Sequence, residues 1–325
     1  MPYAIQLQEH GGPEVLRWTE LATPAPAAHQ VVVRNRAVGL NFIDVYYRTG
    51  LYPHPLPHGL GLEGAGEVIA VGGEVRHLAV GDRVAYAMGG LGAYAEEHCL
   101  EARNVFRLPD DVGFDDGAAL ALKGLTVRYL LRKTYPVEAG QTILFHAAAG
   151  GVGLIACQWA KALGAKLIGT VSNARKAELA LANGAWAVID TSREDIAGRV
   201  RELTDGAMVP VVYDSVGRDT WEASLDCLQP RGLMVSFGNA SGPVTGVNLG
   251  ILASKGSLYV TRPTLASYML TPEMAAEAAD DLFSRVRAGD VKASIDQRYA
   301  LRDAAEAHRA LEARKTTGST VFVLD

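Results

Sequence analysis

The chain has 325 residues, 49% of them apolar, and its 31 Lys and Arg against 36 Asp and Glu leave a net charge of −5. The length exceeds one typical core and points to a globular protein of two domains; the acidic balance offers no basic stripe for nucleic acid, and no stretch reaches the roughly 18 apolar residues of a membrane helix. Cys99, Cys157 and Cys227 are odd in number and far apart, so neither a disulfide framework nor a metal site can be built on their spacing.

The first 15 residues, MPYAIQLQEHGGPEV, carry no basic segment followed by an apolar core, and a cytoplasmic location is the expectation. Val31 to Arg36, Gly66 to Val71 and Asp82 to Ala87 are short β-rich runs separated by Gly72-Gly73 and Gly89-Gly90. They predict a small, irregular β-barrel in the first 120 or so residues.

The texture changes at Thr142 to Phe145, an apolar strand running into the small-residue turn Ala147 to Gly153 and then a helix, Leu154 to Leu163. Backbone can approach a ligand closely along such a turn, and the helix offers free N–H groups and its positive dipole end to a pyrophosphate. The glycine pattern is a variant whose first position is Ala148, followed by Gly150 and Gly153; a tight strand-to-helix turn with no ligand is the lesser, alternative reading of this segment on its own. The alternation that follows adds to the argument. Strands are expected at Lys166 to Val171, Ala187 to Asp190, Val209 to Tyr213 and Leu233 to Phe237, with helices at Arg175 to Ala182, Glu194 to Leu203 and Thr220 to Leu228 between them. This predicts an α/β fold with a Rossmann-type doubly wound parallel sheet, whose ligand lies at the carboxyl ends of the strands. Beyond Ser257 come a strand (Leu258 to Thr261), a helix started by Thr271-Pro272, a helix from Arg302 to Arg314, and a last strand, Thr320 to Leu324. The nucleotide unit is therefore expected as an insertion, with a catalytic β-barrel domain at 1–125 and 259–325 and the Rossmann domain at 126–258.

GLGLEGAGEV (Gly59 to Val68), GDRVA (Gly81 to Ala85), LKGLTVRYLL (Leu122 to Leu131) and HAAAGGVG, in that order, resemble the medium-chain dehydrogenase/reductase superfamily. Within it they resemble the NADPH:quinone oxidoreductase branch that includes zeta-crystallin. VVYDSVGRDTW (Val211 to Trp221), GLMVSFGNASG (Gly232 to Gly242) and SLYVTRPTL (Ser257 to Leu265) look like the bacterial members. The resemblance implies a chaperonin-cofactor-like barrel around the Rossmann domain. Zinc alcohol dehydrogenases of the superfamily carry a His and a Cys ligand where this chain has Leu62 and Asn41. Leu cannot bind a metal and an Asn amide is a poor substitute for thiolate, so no metal is expected, and a simple alcohol is a poor substrate without the Lewis acid.

What remains is hydride transfer to an acceptor that needs little electrophilic help, such as a quinone. By resemblance the acceptor cleft is lined by Asn41, Asp44, Tyr46, Tyr52 and Arg262; packing for the tyrosines, and a contact to backbone carbonyls for Arg262, are the alternatives. Cofactor contacts carried over by resemblance fall on Asn41, Lys123 and Tyr129, on the turn Ala149, Gly150, Gly151, Val152 and Gly153, on Ser215, Val216 and Gly217, on Phe237, Gly238 and Asn239, and on Pro263. For the 2′-phosphate, the second strand ends in Ser172 and Asn173 with no acid before Glu178, and Arg175 and Lys176 follow. An NAD enzyme usually places Asp or Glu there, so NADPH is expected. In the family a lysine matching Lys176 binds the phosphate with a Tyr, here Thr191, and a basic residue for which Arg314 is the candidate. His146 reads as a capping or packing group. The expected protein is a homodimer joined through an edge of the nucleotide-domain sheet. Rival readings are an NADPH-dependent reductase of enone or alkenal double bonds, and a nucleotide-sensing or RNA-binding protein with little turnover.

Overall fold

In the computed structural model, which describes residues 1–324, the chain forms two compact units. The first contains Met1–Leu125, Tyr268–Ser284 and the chain from Ala293 onward; the second contains Thr126–Ser267 and Arg285–Lys292.

The first unit opens with β1 (Tyr3–Leu7), β2 (Arg17–Glu20) and β3 (Gln30–Leu40), then helix α1 (Phe42–Arg48). It continues with β4 (His58–Gly59), β5 (Glu63–Val71), β6 (Arg83–Ala87), β7 (Glu97–Glu101) and β8 (Val105–Arg107), and enters α2 (Phe114–Tyr129). Strand β3 is the hub. Its first half pairs with β7 and its last four residues with a C-terminal strand, while β5 runs antiparallel along most of its length. Register shifts between Val32 and Val33 and between Asn35 and Ala37 mark bulges in that pairing, which let one long strand serve several neighbours. Val31, Val33, Val38 and Leu40 pack into one core with Leu60, Val84, Tyr94 and Phe322.

The second unit holds β9 (Thr142–Phe145), α3 (Gly151–Ala162), β10 (Lys166–Val171), α4 (Ala174–Ala182), β11 (Ala187–Asp190), α5 (Ile196–Leu203) and β12 (Val209–Asp214). It ends with α6 (Trp221–Asp226), β13 (Leu228–Ser236), α7 (Gly250–Ser254) and β14 (Tyr259–Thr261). The six strands form one parallel sheet in the order β11-β10-β9-β12-β13-β14. The connection reverses between β9 and β12, so the switch point of the sheet falls at the end of β9, where the small-residue turn begins. Leu144, Ile168, Val212 and Met234, one from each central strand, are wholly buried, as strands covered on both faces require.

The chain then returns through α8 (Pro272–Arg287), β15 (Ile295–Ala300), α9 (Ala304–Glu312) and β16 (Ser319–Val323), and β16 joins β3. A return at residue 259 does not describe this structure: β14 pairs with β13 and extends the parallel sheet, so the first unit resumes at Tyr268. Among the described residues no helix is long and apolar enough to cross a membrane.

Candidate active site

In the first unit the site is built around α1. Asn41 caps that helix and Asp44 sits at its third position, accepting the Asn41 N–H at 2.8 Å. This is the reciprocal half of a capping box. The Asn41 amide nitrogen donates to Oε2 of Glu63 at 2.7 Å. A carboxylate only accepts, so the amide is oriented with its oxygen turned away from Glu63. Lys123 Nζ reaches the same oxygen at 2.6 Å and the Leu122 N–H reaches Oε1 at 2.6 Å. Glu63 is 0% and Lys123 5% exposed; such a pair is tolerable only because both partners are present. Lys123, expected at the cofactor, is thus committed to Glu63.

Asp44 does not line a cleft. It is wholly buried, Oδ2 also accepts the Tyr94 hydroxyl at 2.9 Å, and Oδ1 has no partner among the described residues. Burial pushes its carboxyl up to about 7, against the pull of the Asn41 N–H, the Tyr94 hydroxyl and the Lys123 charge, with the nearby Glu63 pushing upward as well. Behind Tyr94 lies His308, its Nε2 3.2 Å from the Tyr94 oxygen and its Nδ1 2.9 Å from Arg48 Nη1. Burial, with the Arg48 charge, drives His308 down to about 3, so the ring is neutral. The guanidinium can only donate, so Nδ1 accepts and Nε2 carries the proton. Donors therefore run in one direction, from Arg48 through His308 and Tyr94 to Asp44. Arg48 is itself fixed by Glu312, at 2.7 and 2.9 Å.

Tyr46 and Tyr52 are brought together, ring centroids 5.1 Å apart, beside Phe42 and Tyr47. The Tyr52 N–H is held by the Tyr46 carbonyl. Tyr46 is buried and Tyr52 half-buried, so Tyr52 is the member that presents surface. Arg314, exposed and in the left-handed region at φ 57°, follows α9.

In the second unit, Gly150 caps α3 and the turn closes with Gly150 N–H on the Ala147 carbonyl. The following N–H groups of Gly151, Val152 and Gly153 lie in the first turn, where helix geometry provides no acceptor. Gly151 and Val152 are half-buried and their amides are the natural seat for a phosphate. A Cβ on Gly153 would lie 2.4 Å from the Ala147 carbonyl oxygen, so only glycine lets the helix close on the turn. Ala149 is buried beneath it.

At the end of β10, Ser172 and Asn173 are exposed, and Asn173 Oδ1 caps α4 by accepting the Lys176 N–H at 3.0 Å. Arg175 and Lys176 thus occupy the first turn of a helix, where their charges add to the positive dipole end. Thr191 turns its hydroxyl to the Val171 carbonyl at 3.0 Å. After β12, Ser215, Val216 and Gly217 lie against Gly238: a Cβ on Gly238 would meet the Ser215 oxygen at 2.3 Å. Arg262 holds the loop after β13, its Nη1 donating to the carbonyls of Ser236 (2.9 Å) and Gly238 (3.0 Å). With the Asn239 amide in the orientation its neighbours require, Asn239 accepts from Arg262 Nη2 at 2.9 Å. Arg262 therefore supports Phe237, Gly238 and Asn239, with Pro263 next to it in the chain, and its Nη1 and Nη2 donate to backbone and amide oxygens. Tyr129 is buried in this unit.

Glu63, Tyr94, Arg48 and His308 are joined to the candidate site by hydrogen bonds, and the sequence reading did not single them out. Glu63 had a signal: an acid in the otherwise apolar Leu60 to Ala65 must be paired if buried. The other three had none, since Arg48 and His308 meet across 260 residues.

Residues 27–110 match the family described as "Alcohol dehydrogenase GroES-like domain" and 151–284 the family "Zinc-binding dehydrogenase". Over 99% of its length the chain is 63% identical to a quinone oxidoreductase of Pseudomonas aeruginosa and 57% identical to quinone oxidoreductase 1 of Escherichia coli, in each case covering 100% of the relative. The crystal structure of Escherichia coli quinone oxidoreductase complexed with NADPH superposes with a TM-score of 0.98 at 57% identity, over 99% of this chain and 100% of that one. A 2-haloacrylate reductase of Burkholderia is 43% identical, over 99% of each chain. The chain belongs to the quinone oxidoreductase branch of the medium-chain dehydrogenase/reductase superfamily.

Proposed function

We propose that this protein reduces quinones with NADPH by direct hydride transfer and without a metal. The observation that carries the metal-free part is the Glu63 carboxylate bound at 2.6 Å by the Lys123 ammonium and at 2.7 Å by the Asn41 amide. A cationic side chain already neutralises the acid next to Leu62 and Asn41, the positions expected to carry zinc ligands in the alcohol dehydrogenases. Among the described residues no group of three or more His, Cys, Asp or Glu could hold a metal ion.

NADPH supplies the hydride. The residues supply its place: the Gly151 to Gly153 amides would receive the pyrophosphate, and Arg175 and Lys176, in the first turn of α4, would pair with the 2′-phosphate. Arg314 is proposed as the further cation. Ser215 to Gly217 and Phe237 to Asn239, braced by Arg262, line the nicotinamide side. The Asn41 amide oxygen, an acceptor, orients a hydroxyl of the nicotinamide ribose, and Tyr52, backed by the buried Tyr46, gives a quinone ring an aromatic face. The product is a delocalised phenolate, so hydrogen-bond donors suffice to stabilise it.

Reduction of an activated C=C bond is the second reading, favoured by the 2-haloacrylate reductase among the relatives. Both are tested by following NADPH absorbance with 1,4-benzoquinone and with an alkenal. Faster loss with the quinone supports the proposal, faster loss with the alkenal supports the second reading, and loss with neither leaves a nucleotide-binding protein without turnover. We also propose a homodimer through β14, an edge strand whose Tyr259 is 60% exposed and whose open backbone groups invite pairing. The proposed location is the cytoplasm, where NADPH is at hand and thiols such as Cys99 stay reduced.

A further inference from the structure

Beneath the nucleotide turn lies a second buried polar chain, carried by three adjacent strands of the parallel sheet. His146, the residue after β9, is wholly buried, with Nδ1 3.0 Å from Thr170 Oγ1 on β10 and Nε2 2.9 Å from Ser224 Oγ on α6. Ser224 Oγ is 2.8 Å from Asp214 Oδ2, at the end of β12. The carboxylate also accepts the Thr220 hydroxyl at 2.7 Å and, on Oδ1, the N–H groups of Val216 (2.7 Å) and Gly217 (3.0 Å).

The chemistry of the partners fixes the direction of each bond. Ser224 has one hydroxyl proton and spends it on the carboxylate, so the proton between His146 and Ser224 belongs to Nε2. Nδ1 is then an acceptor and takes the Thr170 hydroxyl, whose oxygen in turn lies 3.3 Å from the Ala147 N–H. Burial holds the imidazole neutral, as this tautomer requires. Donors thus run from the first amide of the glycine turn to the carboxylate that shapes the Ser215 to Gly217 loop. Apolar side chains would fill this space at lower desolvation cost; a chain with every member satisfied specifies one arrangement of the loops it joins.

We propose that His146 is a positioning residue that sets the glycine turn and the Ser215 to Gly217 loop in register, so that the pyrophosphate and nicotinamide ends of one dinucleotide are held at the same time. This rests on the NADPH reading above. The adenosine side does not depend on it, because the Ala148 N–H to Thr170 carbonyl bond, 3.0 Å, ties β10 to the turn through backbone alone.

The test compares NADPH with adenosine 2′,5′-bisphosphate, which carries the adenosine half and both phosphates but nothing to reach the Ser215 loop. Fluorescence titration of wild type, His146→Phe, His146→Gln and Ser224→Ala should show NADPH weakened about tenfold by the Phe variant, the order expected for one or two lost buried hydrogen bonds. The bisphosphate should be unchanged. His146→Gln, which can keep the bond to Ser224, should recover most of the loss. If His146→Phe does not fold, Ser224→Ala carries the test, removing one hydroxyl between His146 and Asp214 and giving the same pattern at smaller size. Equal weakening of both ligands in step with a lower melting temperature, or no change for either, would overturn the proposal. Wild-type protein that fails to bind NADPH at all would overturn the cofactor reading instead.

Discussion

Asp44 gives the sharpest quantitative expectation. Its carboxyl is pushed up to about 7 in the folded chain from an ordinary 3.8, because burial outweighs the donors around it. That difference corresponds to about 4 kcal/mol. Between pH 4 and 7 the folded chain holds a proton that the unfolded chain has released, so this group contributes stability that is complete below about pH 4 and lost as pH rises through 7. Asp44→Asn removes the titration while keeping an oxygen to accept from Tyr94 and the Asn41 N–H. The stability of wild type relative to this variant should therefore fall by about 3 kcal/mol between pH 5 and pH 8, the product of about two units and 1.36 kcal/mol each. Urea denaturation of both proteins at pH 5, 6, 7 and 8 measures the difference directly. A difference that stays flat across the range would refute the reasoning and show that Asp44 is charged throughout.

Lys123→Met should destabilise the chain by about 3–5 kcal/mol in the same assay, because Glu63 is left buried without its cation, and Glu63→Gln in the same chain should restore a large part of that loss. Lys176→Ala and Arg175→Ala should each weaken NADPH by about tenfold, a charge-assisted contact at an exposed edge, and leave NADH nearly unmoved. Titration at two salt concentrations should show the NADPH preference shrinking at the higher one. Arg262→Ala should raise the NADPH KM by loosening the Ser236 to Asn239 loop while leaving the quinone KM in place; a rise confined to the quinone KM would return Arg262 to the acceptor pocket.

The parallel sheet is legible where a strand is a short apolar run closed by turn residues; β13 begins at Leu228 rather than Leu233, because its first half, with Gln229, Pro230 and Arg231, carries no apolar pattern. Thr142–Phe145, Lys166–Val171 and Ala187–Asp190 appear at the expected residues. The barrel strands were underestimated: β3 runs to Leu40 rather than Arg36, since its last residues, Ala37 to Leu40, lack polar alternation and are defined by their pairing with β16. In the site, the glycine turn and the basic pair on α4 follow from local chemistry. Asp44 was misplaced into the cleft although Asn41-x-x-Asp44 is itself a capping pattern at the start of a helix. The Arg48–His308–Tyr94 chain and the Thr170–His146–Ser224–Asp214 chain depend on residues that only the fold brings together, and no spacing in the sequence announces them. Arg262 shows the converse: the resemblance assigns it to the acceptor cleft, with a contact to backbone carbonyls as the alternative, and its Nη1 donates to the carbonyls of Ser236 and Gly238.

The proposed chemistry is direct, metal-free hydride transfer from NADPH to a quinone. Single-turnover oxidation of NADPH by 1,4-benzoquinone, with the cofactor deuterated at the transferring C4 position and the protein exhaustively treated with a chelator, tests it most directly. The account predicts full oxidation at the rate of untreated protein and a slower reaction with deuterium. Loss of the reaction on chelation with recovery on adding zinc, or no oxidation before chelation, would contradict it.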